Sequence, residues 1–253
     1  MRLSYININI KKLFNKKIGK IISTDKSQVG KYVDINGDGI PEGVIFADLA
    51  VGGEGQWGNE YFKEKYKIPT IEDGLKDYIV IGEYNDQINS KQEVLAPILD
   101  GNDRFYVMAL NDINEDFHYW YYSARKTKDL ILLQKDFGHG KENTVTLFNK
   151  WCDEKYGKQD HGDLWNYIQD EIKNGWFIPS LQEWCAFAEQ LKVTDENFQE
   201  KGFMGFYWAS SVTTSDNLVI PSEKLADKID FEHNTTGAAS FDYIYPIRLA
   251  TTY

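Results

Sequence analysis

One short segment carries the oxygen donors of a cation-binding loop. Its sequence is Asp34-Ile35-Asn36-Gly37-Asp38-Gly39-Ile40-Pro41-Glu42. Oxygen donors at positions 1, 3, 5 and 9, with glycine at position 6, are how a short loop wraps calcium. The predicted calcium ligands are the side chains of Asp34, Asn36, Asp38 and Glu42 and the carbonyl of Ile40. An acidic Asn-Gly/Asp-Gly turn without a metal remains the alternative, because Ile45 stands where an EF-hand has its bidentate glutamate.

The residues with catalytic potential form no recognisable centre. No two of the four histidines lie at metal-ligand spacing, and the sequence has neither a Cys-His cluster nor a Gly-x-Ser-x-Gly turn. Cys152 and Cys185 are the only cysteines, and each lies on the apolar side of a predicted helix. This position indicates two buried free thiols, with a disulfide as the alternative. We therefore predict no catalytic residues and no enzymatic activity.

The composition is that of a folded, water-soluble chain. Of its 253 residues, 42% are hydrophobic, 26% charged and 15% aromatic. This length can bury a sizeable core, and the aromatic excess favours a packed, loop-rich fold or an aromatic binding face. The net charge of -11 argues against nucleic acid and against anionic membrane surfaces as partners. The sequence has no run of about 18 apolar residues, so we predict no membrane insertion.

Residues 1–29 differ in charge from the rest of the chain. The lysines that make this segment basic are Lys11, Lys12, Lys16, Lys17 and Lys20. We predict a basic N-terminal arm followed by one domain over residues 30–253. Asn7 and Asn9 interrupt the apolar stretch of the arm and no small-residue cleavage site follows, so it is a poor signal peptide. The location therefore stays open between a virus particle and the cytoplasm.

Short apolar runs separated by Gly, Asn and Asp predict many short strands. They cover residues 43–47, 77–81, 104–110, 117–122, 207–208, 217–220 and 243–249. Helical periodicity predicts three helices, over residues 144–156, 163–173 and 180–191. The third begins with a capping box, in which the side chains of Ser180 and Glu183 each bond the other residue's main-chain N–H. These elements predict an α+β domain with much irregular structure.

Residues 202–253 have the composition of a recognition surface. Small hydroxyl and amide residues follow Trp208, and Tyr243 and Tyr245 lie near the end of the chain. Tyr and Trp supply rigid contact area, while Ser, Thr and Asn supply adaptable hydrogen bonds. A surface β-meander is the alternative that the composition leaves open.

Three segments, taken in order, resemble the C-terminal half of a bacterial and phage family with a C-type lectin fold. They are Gly175-Trp176-Phe177-Ile178-Pro179-Ser180-Leu181-Gln182-Glu183-Trp184, Tyr207-Trp208-Ala209-Ser210-Ser211 and Ile247-Arg248-Leu249-Ala250-Thr251-Thr252-Tyr253. This family includes the variable proteins of diversity-generating retroelements, and the resemblance covers about residues 30–253. It implies a C-type lectin-like fold and a ligand- or receptor-binding protein, encoded by a phage or a bacterium. The implied partner is a protein or glycan on a target surface.

The resemblance also implies which positions contact the ligand. In that family, mutagenic reverse transcription replaces template adenines, chiefly at AAC-type codons, so the exposed face near the C-terminus differs between copies. Such codons do not yield Lys, Glu, Gln, Met or Trp, which leaves Trp208, Glu223, Lys224, Lys228 and Glu232 as scaffold. The candidate ligand-binding positions are Tyr207, Ser211, Thr213, Thr214, Asp216, Asn217, Asn234, Thr235, Asp242, Tyr243 and Tyr245. The sequence departs from the family where Ala209 replaces the usual serine.

An enzyme on the same fold, such as a formylglycine-generating oxidase, is the alternative function. Those oxidases need a reactive cysteine pair near the C-terminus, whereas Cys152 and Cys185 both precede the candidate site. Calcium-dependent sugar lectins of this fold carry Glu-Pro-Asn or Gln-Pro-Asp with Trp-Asn-Asp, and the sequence has none of these motifs. Fold alone does not decide function, so the missing chemistry favours binding.

Overall fold

The computed structural model describes six ranges with their side chains: 28–36, 38–49, 103–114, 116–127, 129–214 and 224–253. For three further strands, β3 to β5 below, it describes the main chain. Residues 1–27 of the predicted arm, Asp216, Asn217 and the strand predicted at 217–220 lie outside the described residues.

The strands follow one another along the chain with few helices between them. In chain order they are β1 (Tyr32–Val33), β2 (Gly43–Asp48), β3 (Lys65–Thr70), β4 (Gly74–Asp86), β5 (Ser90–Pro97), β6 (Phe105–Ala109), β7 (His118–Tyr119), β8 (Phe206–Thr214), β9 (Lys224–Asp230), β10 (Thr235–Ala239), β11 (Ile244–Tyr245) and β12 (Ala250–Thr252). Three helices lie between β7 and β8: α1 (Gly140–Cys152), α2 (Gln169–Lys173) and α3 (Leu181–Gln190). Short 3-10 helices cover Tyr122–Lys126 and Leu164–Asn166. The prediction of an α+β class is confirmed.

All of the strand pairs within the four described sheets are antiparallel. The main sheet has the order β1-β2-β6-β12, so strands from both ends of the described chain belong to it. Gly43 lies opposite Ala109, where a Cβ would collide with Val107 and with the carbonyl of Met108, so this contact requires glycine. The second sheet has the order β10-β9-β8, β7 pairs with β11, and β3, β4 and β5 form a meander.

Strand β8 lies between two hydrophobic clusters, which explains why its residues 207–212 are all buried. Tyr207 and Ala209 belong to a cluster with Trp184 of α3, whereas Trp208 and Val212 belong to a second cluster. Because successive side chains of a strand point to opposite faces, both faces of β8 are covered. Indole N–H groups tie these layers together: Trp184 donates to the carbonyl of Trp208 at 3.1 Å, and Trp208 donates to the carbonyl of His118 at 2.8 Å.

Helix α3 begins at the predicted capping box. The Ser180 hydroxyl accepts from the Glu183 N–H at 3.3 Å, and Glu183 accepts from the Ser180 N–H at 2.8 Å. The helix predicted over 144–156 is α1, which begins and ends four residues earlier than predicted. The helix predicted over 163–173 is divided into a 3-10 turn and the five-residue α2. No helix of the described residues is both long and apolar enough to cross a membrane.

Three other expectations need correction. Within the strand predicted over 243–249 only β11 (Ile244–Tyr245) has strand pairing, because Pro246 lacks the N–H that a strand would donate, and β12 begins after the predicted range. The strand predicted over 117–122 is limited to β7, since a 3-10 helix begins at Tyr122. Cys185 is buried as predicted, but Cys152 ends α1 on the exposed side, so the prediction of a buried thiol there is wrong.

Candidate binding face and candidate metal loop

The loop between β1 and β2 brings three predicted metal ligands together. One carboxylate oxygen from each of Asp34, Asp38 and Glu42 lies within 4.8 Å of the others. Main-chain N–H groups hold the Asp34 carboxylate: Asp38 donates to Oδ1 at 3.1 Å and Gly39 donates to Oδ2 at 2.8 Å. The side chain of Asn36 accepts from the Asp38 N–H at 2.8 Å. The loop is therefore folded around its acidic side chains.

Glu42 presents an oxygen that the described residues leave unpaired. Its Oε2 accepts from the Ile35 N–H at 2.6 Å, whereas its Oε1 is buried and has no hydrogen-bond partner among the described residues. Burying an unpaired carboxylate oxygen costs free energy, and a hard cation would remove that cost. Ile40, the predicted carbonyl ligand, donates its N–H to Asp38 at 2.8 Å. The three converging carboxylates could hold a metal ion.

Tyr243, directly before β11 of the β7–β11 ribbon, is the most exposed aromatic residue of the range 224–253. Tyr243 is 58% exposed and Ile244 is 49% exposed. The Tyr243 ring stacks beside the half-buried Tyr245, with centroids 6.4 Å apart and an interplanar angle of 27°. Tyr245 in turn packs edge-on against the buried Trp208 at 4.6 Å and against Phe206 at 5.5 Å. The exposed Tyr243 ring is thus supported by the core through Tyr245.

A distant part of the chain extends this surface. Ile244 pairs with Tyr119 in the ribbon, and the Tyr119 and Tyr122 rings lie 4.9 Å apart. The Arg125 guanidinium lies 4.5 Å from the centre of the Tyr122 ring and forms a 2.9 Å ion pair with Asp242. We define the candidate binding face, called the binding face below, as residues 242–245 together with Tyr119, Tyr122 and Arg125. The aromatic run at 117–122 was the sequence signal for this second segment, which the predicted site did not include.

The partly buried Lys228 and the buried Asp163 fix the underside of the binding face. The Lys228 ammonium lies 4.0 Å from the centre of the Phe206 ring, 5.6 Å from that of Tyr245 and 3.3 Å from the Asp230 carboxylate. Asp163 accepts from the Tyr122 N–H at 2.7 Å and from the Trp151 indole at 2.9 Å. Burial raises the pKa of Asp163 and outweighs these hydrogen bonds, which lower it.

Charges at the rim of the face are held in the ionised state. The Ser240 hydroxyl, followed by Arg125, lowers the pKa of Asp242 below its usual value. Hydrogen bonding to Asp242 raises the pKa of Arg125. Burial lowers the pKa of His118, which lies opposite Tyr245 in the ribbon. A neutral imidazole therefore lies beneath the face at pH 7, and the ion pair lies at its edge.

The structure does not place Tyr207 and Ser211 on this surface, which corrects their assignment as ligand-facing positions. Both are fully buried because β8 is covered on both faces. The Tyr207 hydroxyl donates to Asp112 at 3.0 Å and accepts from the Met204 N–H at 2.9 Å. Burial raises the pKa of the Tyr207 phenol well above its usual value. Tyr207 therefore has a structural role in this fold.

The remaining predicted positions lie apart from Tyr243 in the chain. Thr213 and Thr214 are half-buried at the end of β8. Asn234 is exposed in the turn between β9 and β10, with φ of 50°, and Thr235 begins β10. Asn234 and Thr235 line a small pocket together with Lys192. Of the predicted ligand-binding positions, the structure thus places Asp242, Tyr243 and Tyr245 side by side.

An open groove borders the binding face. Its lining residues are Asp112, Phe117, Phe198, Gln199, Gly202, Phe203, Met204, Gly205, Phe206, Glu232 and Pro246. Phe206 belongs to the groove and also contacts Tyr245, so the two surfaces are continuous. Phe117 is 46% exposed and Met204 is 41% exposed.

No protein-family model, curated protein or solved structure matches this chain.

Proposed function

We propose that this protein binds a protein or glycan on a target surface through the binding face, on a C-type lectin-like scaffold. The observation that carries the proposal is the exposed Tyr243–Ile244 pair, supported through Tyr245 by the buried Trp208. Large exposed apolar side chains gathered on one surface are typical of interaction sites. Tyrosine in particular gives contact area at a small cost in conformational entropy.

The rigidity of the face favours binding. Tyr245 is held by two aromatic neighbours and by Lys228, and the 3-10 helix that carries Tyr122 is held by Asp163. Side chains that are already ordered lose little entropy when a partner binds, so more of the contact energy remains as affinity. The partly exposed Arg125–Asp242 pair offers polar groups at the rim, where interfaces are usually polar.

Several features support the C-type lectin-like scaffold. Strands from both ends of the described chain belong to the main sheet, and the motif at 175–184 leads into the capped helix α3. Arg248 of the terminal motif is buried, where it donates to Asp112 and to the carbonyl of Gly202. In this proposal the gene belongs to a phage or bacterium, and the diversified positions are the surface residues Asp242, Tyr243 and Tyr245.

An oxidase would need a reactive thiol pair. Cys185 is buried within α3 and Cys152 is exposed at the end of α1, and burial raises the pKa of both thiols. A raised pKa reduces the thiolate fraction at neutral pH and with it the reactivity. The positions and protonation of the thiols thus favour the binding proposal over the oxidase.

A binding screen tests the proposed function. Fluorescently labelled protein is applied to a glycan array and to a panel of intact bacterial cells, as wild type, Tyr243→Ala and Tyr32→Ala. Tyr32 is the matched control, because it is 71% exposed and lies on β1, outside the face. We expect a target that retains the wild type and Tyr32→Ala but not Tyr243→Ala. If every target bound Tyr243→Ala as well as it bound Tyr32→Ala, the binding site would lie outside the binding face.

We also propose that the β1–β2 loop binds calcium, because the buried Glu42 Oε1 lacks a partner among the described residues beside two converging aspartates. At a hundredfold excess over its dissociation constant, calcium would stabilise the fold by about 2.7 kcal/mol. We expect calcium to raise the melting temperature of the wild type and of the control Glu142→Gln, an exposed site on α1, but not of Glu42→Gln. Equal melting with calcium and with chelator in the wild type would identify a metal-free turn.

A further inference from the structure

The groove beside the binding face has an apolar lining and an acidic rim. Phe117 and Met204 expose nearly half of their side chains there, next to Phe203 and the ring of Phe206. The Glu232 side chain is exposed at the groove. Binding becomes more favourable when apolar side chains of a partner fill such a groove, because apolar surface is removed from water. The acidic rim favours a cationic partner.

Asp112 adds to the acidic character of the groove without being free to rearrange. Its carboxylate is shared between Arg248 and the Tyr207 hydroxyl, so it stays in place at the groove wall. Arg248 is itself buried and directed at Asp112 and the Gly202 carbonyl, and its guanidinium lies 4.0 Å from the centre of the Phe203 ring. Glu232 is therefore the carboxylate most accessible to a cationic occupant.

The N-terminal segment of the same chain has the matching chemistry. Residues 1–27 contain Arg2 and six lysines against one acidic residue, Asp25. In the middle of the segment, Leu13 and Phe14 are flanked on both sides by lysine pairs. We propose that this segment docks in the groove of its own chain, with Leu13 and Phe14 against the apolar lining and lysines beside Glu232.

The chain is long enough for this docking. Gln28 is the first described residue, and its N–H donates to Asp48 at 3.1 Å, which fixes the start of the path. The fourteen residues from Phe14 to Gln28 reach about 45 Å when extended. That length is comparable to the diameter of a domain with about 200 residues.

The docked segment would cover Phe117 and Phe206, and it would lie directly beside Tyr245. The inference goes beyond the proposed function and does not depend on it, because the occupant belongs to the chain and no external ligand is involved.

Photo-crosslinking in the full chain tests the docking. The photoreactive amino acid p-benzoylphenylalanine replaces Phe14, and the crosslinked peptides are identified by mass spectrometry. We expect crosslinks within one chain to residues 198–206, with Met204 as the main acceptor since the methionine is exposed at the groove. Crosslinks to surfaces outside the groove, crosslinks that join two chains, or no crosslinks would overturn the proposal.

Two charge variants make the test specific. Glu232→Lys should lower the crosslink yield about threefold to fivefold, because an attraction becomes a repulsion. The matched control Glu142→Lys changes an exposed carboxylate on α1, outside the groove, and should leave the yield unchanged. Lys11→Gln together with Lys12→Gln should lower the yield without altering the described fold. Equal yields in all four proteins would refute the charge complementarity on which the docking depends.

Discussion

The Glu183 carboxylate accepts main-chain hydrogen bonds at the N-termini of two helices, α1 and α3. Its replacement should therefore test how these helices are held together. Its Oε2 accepts from the Ser180 N–H, which caps α3. Its Oε1 accepts from Gly138 at 3.0 Å and from Gly140, the first residue of α1, at 3.3 Å. Glu183→Ala would leave three N–H donors without this acceptor, two of them buried (Gly140 and Ser180), and would remove a cap. We expect a loss of about 3 to 5 kcal/mol in the free energy of unfolding.

The same carboxyl should make stability depend on pH. Burial raises the pKa of Glu183 from 4.5 to about 7, although the hydrogen bonds from Ser180, Gly140 and Gly138 lower it. The folded state therefore binds this proton more tightly than the unfolded state. The resulting stabilisation is fully present below pH 4.5 and is lost as the pH rises to 7. Each pKa unit corresponds to about 1.4 kcal/mol, so this group should account for about 3 kcal/mol.

Urea unfolding followed by tryptophan fluorescence measures both effects. Wild type, Glu183→Gln and the exposed control Glu142→Gln are unfolded at pH 5 and pH 7.5. Wild type and Glu142→Gln should lose stability between these pH values by the same amount. In Glu183→Gln this pH-dependent loss should be smaller by about 2 to 3 kcal/mol, because the neutral amide does not titrate. Equal pH dependence in all three proteins would refute the assignment of the proton to Glu183.

Two other substitutions test the packing beneath the binding face. Trp208→Ala should lower the free energy of unfolding by about 3 to 5 kcal/mol in urea titrations, because a fully buried indole and its hydrogen bond to the His118 carbonyl are lost. If Trp208→Ala lost less stability than Tyr243→Ala, the burial of Trp208 would be contradicted. Arg248→Met should cost about 2 to 4 kcal/mol, because Asp112 loses its cation and the Gly202 carbonyl its donor. The control Arg125→Met, at a partly exposed surface ion pair, should leave the unfolding midpoint nearly unchanged.

Features that depend on neighbouring residues were predictable from the sequence. The capping box of α3 joins residues three positions apart, so its pattern is complete within Ser180–Glu183, and the structure confirms it. The apolar runs at 43–47 and 104–110 likewise correspond to β2 and β6. The second role of Glu183 was not predictable in this way, because Gly138 and Gly140 are more than 40 residues away in the sequence.

The candidate site was predicted in part for the same reason. Composition pointed to Tyr243 and Tyr245, and the family resemblance added Asp242, but the contact between Asp242 and Arg125 joins residues 117 positions apart. Composition also could not distinguish Tyr207 from Tyr243. Their difference in burial arises because β8 lies between two core clusters, while β11 belongs to a two-stranded ribbon at the surface.

The dissociation constant of the target found in the binding screen tests the central claim most directly. It is measured by biolayer interferometry for wild type, Tyr243→Ala and Tyr32→Ala, with melting temperatures taken in parallel. We expect Tyr243→Ala to weaken binding by about thirtyfold, which corresponds to about 2 kcal/mol, with little change in melting. Tyr32→Ala should bind as the wild type does. Unchanged affinity in Tyr243→Ala, or an equal loss in Tyr32→Ala, would contradict a binding site at residues 242–245.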